Sequence, residues 1–139
     1  PRSGLHTIAQ GDFGPVVMTQ DRSTPGILRI DIKGEGGHVD AAYRRWIHNL
    51  ALAKDAGLHR ILVVLELSGK VIPEADLAAM IRKVASLDIA GFRVAVVQTR
   101  HERQHQDEVG ILLAMEYGIT ARVFPDEASA LLWLRHGSA

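Results

Sequence analysis

The spacing of apolar residues changes several times along this chain, and each change marks an element. Ile61 to Leu65 are consecutive apolar residues, rich in β-branching and too few for a free-standing helix. Such a run suits a strand covered on both faces, as in the middle of a parallel sheet. It breaks into Glu66, Ser68, Gly69 and Pro73 before a helical pattern begins. Upstream, Leu28, Ile30 and Ile32 alternate with Arg29, Asp31 and Lys33, the period-two mark of a half-buried strand, expected near a sheet edge. The glycine-rich residues 34–37 end that strand. From Val39 the period turns helical: Val39, Tyr43, Trp46, Ile47, Leu50 and Ala53 line one face. Arg44, Arg45, His48, Asn49 and Asp55 fall on the other, and Gly57 supplies the stop. Pro73 opens the next helix, with Glu74 and Asp76 in the first turn, where the helix dipole favours negative charge. Leu77, Ile81 and Val84 form its buried face, and Gly91 closes it.

Residues 92–98 read as a second buried strand. A polar stretch, 99–108, leads into an apolar helix end at 109–117, stopped by Gly118. Residues 121–124 form a short strand, Pro125 and Asp126 a turn and cap, and 127–135 a last helix carrying Ala128, Leu131, Leu132 and Leu134. At the other end, apolar pieces at 5–9 and 15–19 are separated by Gly11, Asp12 and Gly14. They read either as a hairpin or as an edge strand with a lead-in. From residue 27 the order is βαβαβαβα, which implies an α/β fold with a mostly parallel sheet and helices on its faces. One domain is expected, 27–139, with 1–26 as its N-terminal strand or hairpin.

Composition narrows the class. At 139 residues and 47% hydrophobic, the chain is long enough for one core and short for two. Sixteen Lys and Arg balance sixteen Asp and Glu, which argues against a nucleic-acid module with its basic stripe. With no cysteine there is no disulfide framework and no thiolate metal site. No apolar run approaches the ~20 residues of a membrane helix, and Pro1-Arg2-Ser3-Gly4 lacks a signal-peptide core. These features lead us to expect a soluble, cytoplasmic domain without membrane insertion.

Glu66-Leu67-Ser68-Gly69, running from a buried strand toward a helix, resembles the Asp-Leu-Ser-Gly of STAS domains. Phe92-Arg93-Val94-Ala95-Val96-Val97 is similar to the next strand of their SpoIIAA-like branch. So is the tail: Ala121-Arg122-Val123-Phe124-Pro125-Asp126, then Ala128 and Ala130, then Trp133-Leu134. The resemblance covers roughly residues 27–135 and implies a mixed, mostly parallel sheet of about five strands with about four helices. It also implies a non-enzymatic module of bacterial signalling or stress response, binding a protein partner or holding a small, lipid-like ligand. In anti-sigma-factor antagonists a serine at the helix start after the central strand is phosphorylated, adding charge inside the interface. Here Pro73-Glu74-Ala75-Asp76-Leu77 replaces that motif, so Ala75 or Asp76 stands where the phosphoacceptor would be.

A different chemistry is spelled by His101-Glu102-Arg103-Gln104-His105, an H-E-x-x-H. On a helix, His101 and His105 lie one turn apart and can share zinc, with Glu102 as general base on the bound water. A third ligand is the difficulty. The extended form of the motif needs glycine at 108 and histidine at 111, where this chain has Glu108 and Ile111. Glu116 and Glu127 remain as downstream carboxylates, and Glu127 falls in a helix cap. The intervening Arg103 and Gln104 suit a solvated helix start better than a buried catalytic helix.

Three weaker signals complete the inventory. Gly34-Glu35-Gly36-Gly37 reads as a glycine turn or as an anion cradle at a helix N-terminus, without the Lys-Ser/Thr of a P-loop. Trp46 and Trp133 sit among apolar helix neighbours and read as core. Ile111-Leu112-Leu113-Ala114-Met115 is broader than one buried stripe, so it is either deeply buried, in contact with a second subunit, or the lid of an internal hydrophobic pocket. The leading expectation is a partner-binding surface made by Glu66, Ser68, Gly69, Glu74 and Asp76, for a protein partner that includes a second copy of the chain. A hydrophobic-ligand carrier is the first alternative and a zinc hydrolase the second. No cofactor is expected under the leading reading.

Overall fold

The computed structural model describes residues 13–87, 89 and 91–136, and the backbone of residues 5–8. Six strands form one sheet: β1 (Leu5–Ile8), β2 (Val16–Asp21), β3 (Ile27–Glu35), β4 (Arg60–Ser68), β5 (Arg93–Gln98) and β6 (Thr120–Phe124). Four helices join or follow them: α1 (Val39–Asp55), α2 (Glu74–Ala85), α3 (His101–Glu116) and α4 (Glu127–His136). The spatial order of the strands is their chain order, with β1, β2 and β3 antiparallel and β3 through β6 parallel. The expected α/β class, with a mixed and mostly parallel sheet and four helices, is the observed one. The N-terminal segment contributes an antiparallel pair, which makes six strands. Gly11 and Asp12, which separate the two apolar pieces in the sequence, lie outside the described residues.

Topology decides where the helices go. Each step from β3 to β6 moves to the next strand in the same direction, and right-handed crossovers then place α1, α2 and α3 on one face. Leu28, Ile30, Ile32, Ile61, Val63, Val94 and Val96 point to that face. On the opposite face Leu62, Val64, Ala95, Val97 and Phe124 meet Ala130, Trp133 and Leu134 of α4. β4 is therefore covered on both sides, which is why its apolar residues run without interruption.

The alternating strand β3 is not near an edge; it is third of six. Its alternation has another cause. Helix α4 packs mainly over β4, β5 and β6 and reaches β3 only at its start, where Ile27 joins its cluster and the rest of that face of β3 stays uncovered. Arg29 on that face is held by Asp31 and by Glu127 at the start of α4, and these two carboxylates raise its pKa further. Half-burial of a strand thus reports a missing helix as readily as a sheet edge.

Helix boundaries follow local chemistry. Pro73 precedes the first turn of α2, where Glu74 and Asp76 sit, and Arg82 and Lys83 occupy its last turn. Gly57 (φ +70°) and Gly118 (φ +83°) take the left-handed conformation just past α1 and α3. Helix α3 begins at His101, so most of the polar stretch after β5 is helical. The buried residues of α4 are Ala130, Trp133 and Leu134, leaving Ala128 and Leu132 exposed. The buried face of α1 is also turned from the expected one: Ala41, Ala42, Arg45, Asn49, Leu50 and Ala53 are inside. Arg45 and Asn49 go inward because β2 and the residues before it offer them partners. Asn49 accepts from Gln20 Nε2 at 2.6 Å, and Arg45 donates to the Phe13 carbonyl at 2.9 Å.

Candidate functional site

The sheet and the three-helix layer do not close on each other completely. Between them lies a pocket of about 170 Å³. Its floor is the helix-facing side of the sheet, including Ile32, Val63, Leu65, Val94 and Val96. Its roof takes Trp46 from α1, Leu77 and Ile81 from α2, and Gly110, Ile111 and Ala114 from α3. Leu65 and Leu67 sit on the central strand yet are only half-buried, because their side chains face this space. Trp46 is likewise half-buried and lines the pocket. The lining is apolar except for Arg45, Asn49, Gln98, Arg103, Gln106 and Asp107.

Most of those polar groups meet at the carboxyl ends of β4 and β5, where open α/β sheets present their ligands. Arg103 is buried and crosses from α3 to the loop after β4, where Nη1 donates to the Gly69 carbonyl at 3.0 Å and Nη2 to Lys70 at 3.3 Å. Gln106 donates to the Ile72 carbonyl at 2.6 Å. Gly36 makes room for this crossing, since a Cβ there would lie 2.5 Å from Arg103 Nη2. The Gly36 amide is already given to the Ser68 carbonyl at 2.8 Å, so the glycine turn holds backbone and a guanidinium.

Asp107 is the carboxyl of the pocket. Its Oδ2 accepts from Gln98 Nε2 at 3.1 Å, while Gln98 Oε1 accepts from the Arg100 amide. Burial pushes the Asp107 carboxyl up to about 6; the Gln98 hydrogen bond and the Arg103 charge oppose that, and Glu108 adds to it. The folded protein therefore holds this proton above the ordinary value of 3.8. Stability carried by the protonated form is present at low pH and is lost as pH rises through about 6. Asp107→Asn should consequently match wild type near pH 3 and exceed it by about 3 kcal/mol at pH 8, at about 1.4 kcal/mol per pKa unit. Urea unfolding at both pH values checks this. A variant that loses ground against wild type as pH rises would contradict it.

The remaining sequence-derived residues are placed as follows. The alternation of β4 sends Leu65 and Leu67 into the pocket and Glu66 and Ser68 to the opposite face. Glu66 lies 3.8 Å from Lys33 across an exposed gap, and Ser68 Oγ donates to the Gly34 carbonyl. Gly69 adopts a left-handed φ of +78°. Glu74 and Asp76 are exposed on the first turn of α2. The loop after β4 and the start of α3 do share one edge, joined by Arg103 and Gln106. His101, Glu102 and His105 lie on the first turns of α3, exposed to solvent. Among the described residues no group of three His, Cys, Asp or Glu side chains is placed to hold a metal ion. Of the broad apolar end of α3, Ile111 and Ala114 line the pocket and Leu113 packs among the helices. Leu112 and Met115 are exposed.

Sequence reasoning does not single out Arg45, Gln98 or Asp107 as site residues. A signal for Asp107 was present: 103, 107, 110, 111 and 114 share one face of α3, polar in its first half and apolar in its second. Among the described residues no helix is long and apolar enough to cross a membrane. Comparison with the models of known families, with curated proteins and with solved structures yields no match.

Proposed function

We propose that this domain is a non-enzymatic binding module that holds a small hydrophobic molecule between its sheet and helices α1, α2 and α3. The observation that carries this reading is the apolar pocket of about 170 Å³ ending in a cluster of polar groups. Apolar cavities of about 150 Å³ accept molecules the size of benzene, whereas drug-sized ligands fill about 300 Å³ or more. The ligand class is therefore a single small ring or a short alkyl chain, smaller than a whole lipid. The likeness of residues 27–135 to the SpoIIAA-like branch, whose members bind rather than catalyse, agrees with it. The test is a titration of ¹⁵N-labelled protein with toluene. Shifts confined to pocket-lining amides such as Val63, Val96 and Ile111 are expected. An unshifted spectrum up to the solubility of toluene would remove the reading.

A second reading places a protein partner on residues 66–76. It is favoured by a loop whose carbonyls are clamped by Arg103 and Gln106 while Val71 at its tip is 46% exposed. Charge reversal at Glu74 and Asp76 should then weaken partner capture without unfolding the domain. Unchanged capture counts against that surface.

A further inference from the structure

The pocket holds more positive charge than its own carboxyl balances. Arg45 and Arg103 both line it, each 7% exposed, and among the described residues Asp107 is the one acidic residue in the lining. Arg103 spends its donors on the Gly69 and Lys70 carbonyls and faces Asp107. Arg45 is different. Of its five N–H donors, one is bonded among the described residues, from Nη1 to the Phe13 carbonyl. Among the described residues no carboxylate offsets its burial, which brings its pKa down to about 10 and leaves it charged at neutral pH. Among the described residues no fully buried side-chain nitrogen lacks a partner, so the donors Arg45 has left over meet open space, where an anion can take them. Asn49, its neighbour one helical turn on, is already bonded to Gln20 and contributes no charge.

Resting on the pocket reading above, we propose that the ligand is a small amphiphilic acid, an aromatic or short-chain carboxylate whose head group is bound by Arg45 and whose apolar part fills the space under α3. A carboxylate matches the planar fork of a guanidinium and accepts two charge-assisted hydrogen bonds from it. The size of the pocket limits the apolar part to about one ring.

The experiment is calorimetric titration of the full chain at pH 7.5 and low salt with three probes of one shape: benzoate, benzyl alcohol and benzylamine. Benzoate should bind at least about tenfold more tightly than benzyl alcohol, which is about 1.4 kcal/mol. Arg45→Met should erase that preference while benzyl alcohol binds as before, and Arg45→Lys should keep part of it. Benzyl alcohol equalling or exceeding benzoate overturns the head-group assignment and leaves the pocket standing. A preference for benzylamine overturns it in favour of Asp107 as the head-group site. Benzoate preference surviving in Arg45→Met overturns the role of Arg45. Binding of none of the three overturns the inference, and the toluene titration then decides whether the pocket reading stands. The wild-type comparison decides between acid, alcohol and amine even if the methionine variant does not fold.

Discussion

Gly34→Ala is expected to destabilise the domain by at least about 3 kcal/mol, enough to remove a large share of a typical domain's stability. Gly34 lies on β3 directly opposite Val16 of β2 and beside Leu67 of β4, with φ +150°. A Cβ added there would sit 2.4 Å from the Pro15 carbonyl oxygen and 2.7 Å from the Val16 Cα. Both obstacles are backbone, so no side chain can swing aside; β2 itself must move. That strand carries Val16 and Met18, 3% and 1% exposed, into the main core. The cost therefore combines an unfavourable φ with displacement of packed residues. Gly26 provides the control. It also has a left-handed φ (+78°), yet nothing lies within 4 Å of its added Cβ. Gly26→Ala should cost about 1 kcal/mol from backbone conformation alone. Urea denaturation of both variants separates the two causes, and equal losses would show that the clash at Gly34 relaxes freely.

The legible and illegible parts of this fold differ for physical reasons. The uninterrupted run of β4 announced burial on both faces because a residue's hydrophobicity records whether it meets water, whatever covers it. The order of elements then followed from the short connections and the handedness of crossovers. Alternation misleads about the position of β3 because it records a wet face and says nothing about how many strands lie beyond. Local spacing puts Arg45 and Asn49 on the outside of α1 because it contains no information about Phe13 or Gln20, the distant partners that draw them in. The pocket is harder still. Residues that line a void have the same composition and period as residues that fill a core. Leu65 and Ile111 would look alike in either role. Only the distance between helix layer and sheet tells them apart, and that is set by the sum of all side chains between them.

That distinction makes Ile111 the most informative position in the pocket. It is half-buried, packs against the main core, and projects from α3 one turn after Asp107 and next to Gly110, where the helix presents no side chain of its own. A tryptophan at 111 has open volume to enter if the space is a true pocket. It has none if the layers close in solution. In the first case Ile111→Trp should weaken toluene binding by about 100-fold, roughly 2.7 kcal/mol, because ligand and indole compete for one volume. The thermal midpoint should hold or rise, since a filled cavity restores the packing contacts that a void forgoes. In the second case the same substitution overpacks a closed core, for which the cost is about 1–3 kcal/mol, and the midpoint falls. Leu112→Trp is the matched control: its neighbour in sequence points about 100° away around the helix and is 63% exposed, so it should alter neither property. A stable Ile111→Trp domain that still binds toluene as wild type does would place the ligand elsewhere. A destabilised one would show that helices α1, α2 and α3 already rest on the sheet, and that the half-burial of Leu65 and Leu67 is a groove open to water.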